Sequence, residues 1–392
     1  MWALGSLGSI ALACVAGLAL MLNVVFNEVF NSARLGAVVA IILALHLLRF
    51  PRVVFTREAI LYALFLAYMF VEMLWTSDTL LALNTLVPAS NFVLILILYG
   101  SLMAFHDQRA VLVGSLFGFL LGAATYTAIA GFPFAYPAEF SYNAIAAMYL
   151  FGLFVSLLLA SHGRLTAVYI AIATGVVLHI MATTSIKTNL GVLFGIMAVG
   201  VVYFRYLAHA LRRNVVIVLV LIGGLIFAMT TNEGLVETVR RGADRVSLGI
   251  EVLQAREDIA GYSSFELRST WQRDGLVAWA ENPLFGYGVE AFRSKYGITS
   301  HATFIDLLYN SGLIGFALFY GVLISVMLRL YRASESVGQG ERATILATIV
   351  CYVFITLSGN IHYSSFLAVF IAISASILSR STHRQELHST AT

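Results

Sequence analysis

Long apolar runs alternate along the chain with short polar connections, and the repeat has the length of a lipid bilayer. Runs able to span fall at about 3–24, 33–50, 58–76, 83–105, 110–131, 141–160, 165–184, 187–206, 213–231, 303–330, 343–359 and 361–379, each close to the ~20 residues a transmembrane helix requires. The pattern predicts an all-α polytopic membrane protein of about 12 transmembrane helices, residues 1–392 forming one membrane domain. One connection breaks the rhythm. Asn232 to His301, between spans nine and ten, holds ten acidic and eight basic residues, a balance that suits a folded cap better than a polybasic lipid-binding patch. Within it, Glu233 to Leu253 carries Val236, Val239, Ala243 and Val246 as a helical stripe suited to lying along the membrane surface. A second cap helix is expected from Glu266 to Glu281, stopped by Asn282-Pro283, after which Leu284-Phe285-Gly286-Tyr287-Gly288 turns tightly back toward the bilayer.

Composition agrees with the pattern, since 60% hydrophobic and 11% charged residues lie far from the mix of a soluble domain. The net charge of +3 is too small to imply a nucleic-acid partner; its meaning lies in where the basic residues fall. Arg49, Arg52, Arg57, Arg109, Arg164, Arg205, Arg212, Arg213, Arg329, Arg332 and Arg342 all fall on one side, joined by Arg380 and Arg384 in the tail, whereas the other side's short connections hold only Arg34 and Lys187. Basic residues stay inside. Both termini are therefore expected to be cytoplasmic and the cap, 232–301, to lie outside. The start, Met1 to Leu20, lacks a basic leader, and Ala11-Leu12-Ala13-Cys14 is a poor lipoprotein cleavage site, so it reads as the first span. Cys14 and Cys351 sit in apolar runs as small buried hydrophobes. Pro51, Pro88, Pro133, Pro137 and Pro283 are read as boundary or turn positions, Pro88 at a helix start. No pair of matching halves with broken spans is evident, which argues against a secondary transporter.

Candidate chemistry concentrates at the outer end. Arg268, Gln272, Gly275 and Trp279 recur at i, i+4, i+7 and i+11 on one face of the second cap helix. Arg268 there either points its planar fork at phosphate oxygens or pairs with Glu266 or Asp274 and snorkels. Lys187 opens a membrane helix, where a cation faces a polar cavity or snorkels. His301 stands just before the tenth span with Asp306 about one helical turn on; it is either a proton acceptor or a capping residue. Asp306 either orients it or favours the helix dipole. His362, with Asn360 in the last outer turn, either lines the same cavity or is structural, while Gly312 and Gly315 are read as packing positions. His46, His106, His162 and His179 are assigned no role. No metal motif lies on the outer side, so neither metal nor cofactor is expected.

Together, Arg268-x-x-Trp271, Asn282-Pro283-Leu284-Phe285-Gly286-x-Gly288-x-x-x-Phe292 and His301-x-x-x-Ile305-x-x-x-Tyr309-x-x-Gly312-Leu313-Ile314-Gly315 resemble the central region of the O-antigen ligase and polymerase superfamily. The motif resemblance covers residues 183–320, and the topology extends it to the whole chain, implying a GT-C-like arrangement. Such proteins are bacterial inner-membrane glycosyltransferases that move a glycan en bloc from undecaprenyl diphosphate to an acceptor hydroxyl on the periplasmic face, without a metal. The resemblance implies that His301 is the essential histidine near the acceptor and that Arg268 binds the donor diphosphate. Lys187 falls where a Ser-Arg pair is usual, and Ala302 where asparagine often follows the histidine. Asp306, Gln272 and His362 are supporting candidates. The partners implied are a lipid-linked glycan donor, a glycan or lipid A core acceptor, membrane lipid and a protein that sets chain length. Polymerase is preferred to ligase on the histidine motif, and a transporter or flippase is the competing class.

Overall fold

A computed structural model describes residues 2–30, 41–43, 45–48, 50, 52–130, 142–161, 166–182, 186–203, 263–333, 337–357, 359 and 362–389, with single residues at 205, 212, 219, 223, 230, 236 and 240. Among the described residues the chain is helical and contains no strand. The helices are α1 (Trp2–Phe30), α2 (Arg57–Glu72), α3 (Thr79–Phe105), α4 (Gln108–Ala130), α5 (Tyr142–Ser161), α6 (Thr166–Ala182), α7 (Ile186–Val202), α8 (Ser263–Trp279), α9 (Ala291–Tyr296), α10 (Thr303–Arg332), α11 (Gln339–Thr356) and α12 (Ser365–Ser389). The expected spans at 33–50 and 213–231 and the first cap helix at 233–253 lie largely outside the described residues.

Four stretches, Ser9–Phe26, Thr79–Phe105, Gln108–Ile129 and Thr303–Arg332, are long and apolar enough to cross a membrane, and shorter apolar helices accompany them. Their outer surfaces support the same reading. Leu48, Leu74, Val201 and Tyr331 are each more than four-fifths exposed, a cost in water that lipid removes. Polar residues nonetheless start several helices by accepting from the first turn, which has spare backbone donors. Thr56 Oγ1 accepts from Ala59 N at the start of α2, and Asp78 Oδ1 from Leu81 N at the start of α3. The Asp78 cap starts α3 earlier than hydropathy suggested, so Pro88 lies inside the helix and not at its start. The missing donor there is tolerated within a bundle.

Packing pairs α1 with α4, α2 with α10, α3 with α12, α5 with α6 and α7 with α11, and lays α8 across α10. The α1–α4 contact runs along Gly114, Gly118 and Gly122; a Cβ at Gly118 would stand 2.8 Å from Leu18 O, and one at Gly122 2.6 Å from a Val25 methyl. Small residues at that spacing let two membrane helices approach closely.

The helix that positions the candidate site is α10, and it is not continuous. Gly312 sits at φ 61°, ψ −164° and opens one turn of the helix. The loop after α8 fills the opening: Tyr287 N and Gly288 N donate to Tyr309 O and Asn310 O at 2.9 and 2.8 Å, while Leu313 N and Ile314 N donate to Pro283 O and Leu284 O at 2.8 and 3.3 Å. All four backbone groups released by the break are thus satisfied. Gly286, also at positive φ, has no room for a side chain, because a Cβ would meet the Asn310 carbonyl. Asn282 Nδ2 donates to Gly286 O and closes the turn. Gly312 therefore does permit close packing, but of a loop backbone into a broken helix.

Candidate functional site

The cap helix α8 begins at Ser263 and ends at Trp279, spanning much of the expected 266–281. The face expected to carry function turns inward to α10. A Cβ on Gly275 would stand 2.8 Å from the Phe292 ring and 3.1 Å from Ile305 Cγ2. One turn earlier, Gln272 Nε2 donates to Ser300 O at 3.2 Å, and at the far end Trp279 Nε1 donates to Pro283 O at 3.1 Å. A small apolar core of Ala291, Phe292, Ala302, Ile305 and Tyr309, edged by Trp271 and Tyr287, holds the cap to the bundle. Arg268 stands one turn before Gln272 on this face of α8; its side chain, like that of Lys187 in the first turn of α7, lies outside the described residues.

His301 is half-buried and sits at φ 59°, in the left-handed region. For a residue with a side chain that conformation costs about 1–2 kcal/mol and persists only where neighbours impose it. Here they do so through Ser300. Its N–H donates to Asp306 Oδ1 at 3.0 Å, its carbonyl accepts from Gln272, and its hydroxyl both donates to Ala302 O and accepts from Ala302 N. Thr303 N and Oγ1 donate to Gly359 O, tying the start of α10 to the turn between α11 and α12. The contact described for Asp306 is to the backbone preceding His301, so it shapes the turn that presents the imidazole. Neither of its two expected roles included that contact.

On the other side of Asp306 lies a small cavity lined by Thr85, Glu290, Asp306, Asn310, Ser311 and His362 among apolar neighbours. His362 is buried, its carbonyl accepting from Tyr62 Oη at 2.7 Å and its ring set edge-on to Phe319 and Tyr363. The structure thus joins Gln272, His301, Asp306 and His362 through one turn and one cavity, although His301 is not part of the cavity wall.

Two glutamates complete the cluster, and sequence reasoning gave neither a role. Glu290 is, with His301, a non-glycine residue at positive φ among the described residues, at 61°. It is buried, and Oε1 accepts from Thr85 Oγ1 at 2.8 Å. Burial raises its pKa above the ordinary 4.5, opposed by the Thr85 hydrogen bond and the charge of Arg293. Its signal was present: a lone acid after the glycine turn, in Gly288-Val289-Glu290-Ala291-Phe292. Glu72, the last residue of α2, is fully buried; Ser311 Oγ donates to its Oε2 at 3.1 Å, and Oε1 has no partner among the described residues. No group of three or more His, Cys, Asp or Glu suited to a metal occurs among the described residues.

No protein-family model matches the chain, and no curated protein matches it.

Proposed function

We propose that this protein is a bacterial inner-membrane glycosyltransferase of twelve GT-C-like spans. It would move an undecaprenyl-diphosphate-linked glycan en bloc to an acceptor hydroxyl at the periplasmic surface, as a polymerase of O-antigen or exopolysaccharide units. The observation that carries the reading is His301, a titratable residue held in a strained left-handed turn at the outer end of a broken membrane helix. Strain of this kind gathers at sites where geometry matters to function. Arg268, on the cap helix that clamps the same turn, and Lys187, opening α7, supply the cations that a diphosphate needs.

The reaction is a direct displacement. The acceptor hydroxyl oxygen forms a bond to the donor's anomeric carbon as that carbon's bond to the phosphate oxygen breaks, with inversion. The hydroxyl proton passes to His301 and the bonding pair leaves with the diphosphate, whose growing charge Arg268 and Lys187 stabilise. Gln272 and Asp306 hold Ser300, and through it the angle at which His301 meets the acceptor.

Two other readings are separated by one experiment. A ligase would deliver the glycan to lipid A core. A transporter or flippase is favoured by the broken helix and buried carboxylates, but these gather at one end of α10, and near the other end the Arg329–Glu58 pair bridges α10 and α2. Purified protein is incubated in detergent with its lipid-linked repeat unit, with and without core acceptor. Polymer formed from the repeat alone supports the polymerase; product only with core makes it a ligase. No covalent product in either arm defeats the transferase reading. His301→Gln is expected to lose transfer.

A further inference from the structure

The cavity beneath Asp306 is not used by the displacement just described. It offers about 10 Å³ to the centre of a water-sized sphere, the space that one water occupies. Its polar lining comes from four separate parts of the chain: Thr85 on α3, Glu290 after the glycine turn, Asp306, Asn310 and Ser311 on the first half of α10, and His362 in the last outer turn. His362 Nδ1 is buried and meets no hydrogen-bond partner among the described residues, while the residue as a whole is only 7% exposed. An imidazole nitrogen so placed forfeits about 1–3 kcal/mol unless something reaches it. The apolar walls, Phe65, Met69, Val289 and Leu307, offer nothing that does.

We propose that the cavity binds one water molecule, which bridges His362 to Glu290 and Asp306 and makes these three groups a single proton-sharing unit at the outer end of the bundle. A water has the two donors and two acceptor sites needed to meet an imidazole nitrogen and two carboxyl groups at once. The other ionisable groups that face the unit are Glu72, linked through Ser311, Arg293, whose charge acts on Glu290, and Tyr62 and Tyr363 around His362. Phe292 N occupies Asn310 Oδ1, so that oxygen serves the cap more than the cavity. The unit stands whether or not the protein transfers glycans.

Infrared difference spectra of the full-length protein in lipid nanodiscs, recorded between acidic and alkaline pH in ordinary and in ¹⁸O-labelled water, test this. The expected wild-type result is an O–H stretching band of a weakly bonded water that shifts with ¹⁸O and changes together with a carboxylic-acid C=O band. Glu290→Gln is expected to lose part of the carboxylic-acid band and to move the water band; His362→Asn is expected to shift the remaining carboxylic-acid band. Absence of the isotope-sensitive band, or bands that neither variant moves, overturns the proposal. If both variants fail to fold, a high-resolution structure of the wild type in lipid decides. Ordered density within about 3.2 Å of His362 Nδ1 and of a carboxylate oxygen supports the bridge, and side chains closing that space overturn it.

Discussion

Helix α2 carries two fully buried glutamates, Glu58 in its first turn and Glu72 at its last residue, about 21 Å apart at 1.5 Å per residue. At its first turn, Glu58 Oε1 lies 3.2 Å from Arg329 Nε and accepts from Ser325 Oγ at 2.7 Å, while Arg329 Nη1 also reaches Ser379 Oγ at 2.6 Å. At its last residue, Glu72 Oε2 accepts from the Ser311 hydroxyl in place of a cation, while the second oxygen of each glutamate is buried without a hydrogen-bond partner among the described residues. One end is a charge pair locking α2, α10 and α12 together. The other belongs to a cluster of carboxyl groups around a cavity that His362 lines, built on a broken helix and near two residues at positive φ, Glu290 and His301. Membrane proteins place compensated charge where they need only hold together, and uncompensated polar groups where something is to be bound or moved. The difference between the two glutamates therefore separates an end held by an ion pair from one that carries the candidate site.

Breaking the Glu58–Arg329 pair is expected to have the largest effect on stability. Arg329→Met leaves Glu58 buried without its cation, and such a loss costs about 3–5 kcal/mol. It should appear as a marked fall in Tm in detergent, partly restored when Glu58→Gln is added. A Tm unchanged by Arg329→Met would remove the contrast between the ends.

Next comes the break in α10. Gly312→Ala forces a side chain into a left-handed residue whose Cβ would meet the Leu284 carbonyl, a cost of about 2 kcal/mol or more from conformation and crowding together. The control is Gly321→Ala in the same helix, where a Cβ meets nothing within 4 Å and a gain of about 0.5–1 kcal/mol is expected. Equal responses would mean that the break is not rigidly held.

At the candidate site the expected sign reverses. His301→Gly relieves the left-handed turn and should raise stability by about 1 kcal/mol, while transfer by the purified protein is lost. A variant that is less stable yet still active would show His301 to be a structural residue.

The smallest effect is a slope. Because burial raises the Glu290 pKa above 4.5, the stability its protonated form contributes is complete below that value. It is lost as pH rises through the higher folded value. Glu290→Gln removes the titration, so the Tm of wild type should fall relative to the variant as pH rises above 4.5. Parallel curves would show that the carboxyl is not desolvated as described.

Much of this was readable from residue order. Apolar runs place α1 to α7 and α10 to α12 because lipid demands uninterrupted hydrophobicity and hydrogen-bonded backbone, and the second cap helix followed from a stripe ended by Asn282-Pro283. Pro88 falls inside α3 because the Asp78 cap, a polar feature that hydropathy does not register, starts the helix earlier. The sequence marks His301 and Asp306 by their chemistry; that Asp306 Oδ1 accepts from Ser300 N–H follows only from the fold, because every residue except proline carries that group.

Periodicity and composition, being local, thus determined an α-helical chain with helices apolar enough for lipid and one long polar segment, 232–301, between its apolar runs. Three things required the chain to be folded. These are the opening of α10 at Gly312 to admit residues 283–288, the left-handed turn at His301, and the cavity that gathers Thr85, Glu290, Asp306 and His362. The physical reason is the same in each case. A released backbone group or a buried carboxyl must find its partner wherever packing supplies one, and here the partners lie from a few residues to more than two hundred positions away in the chain.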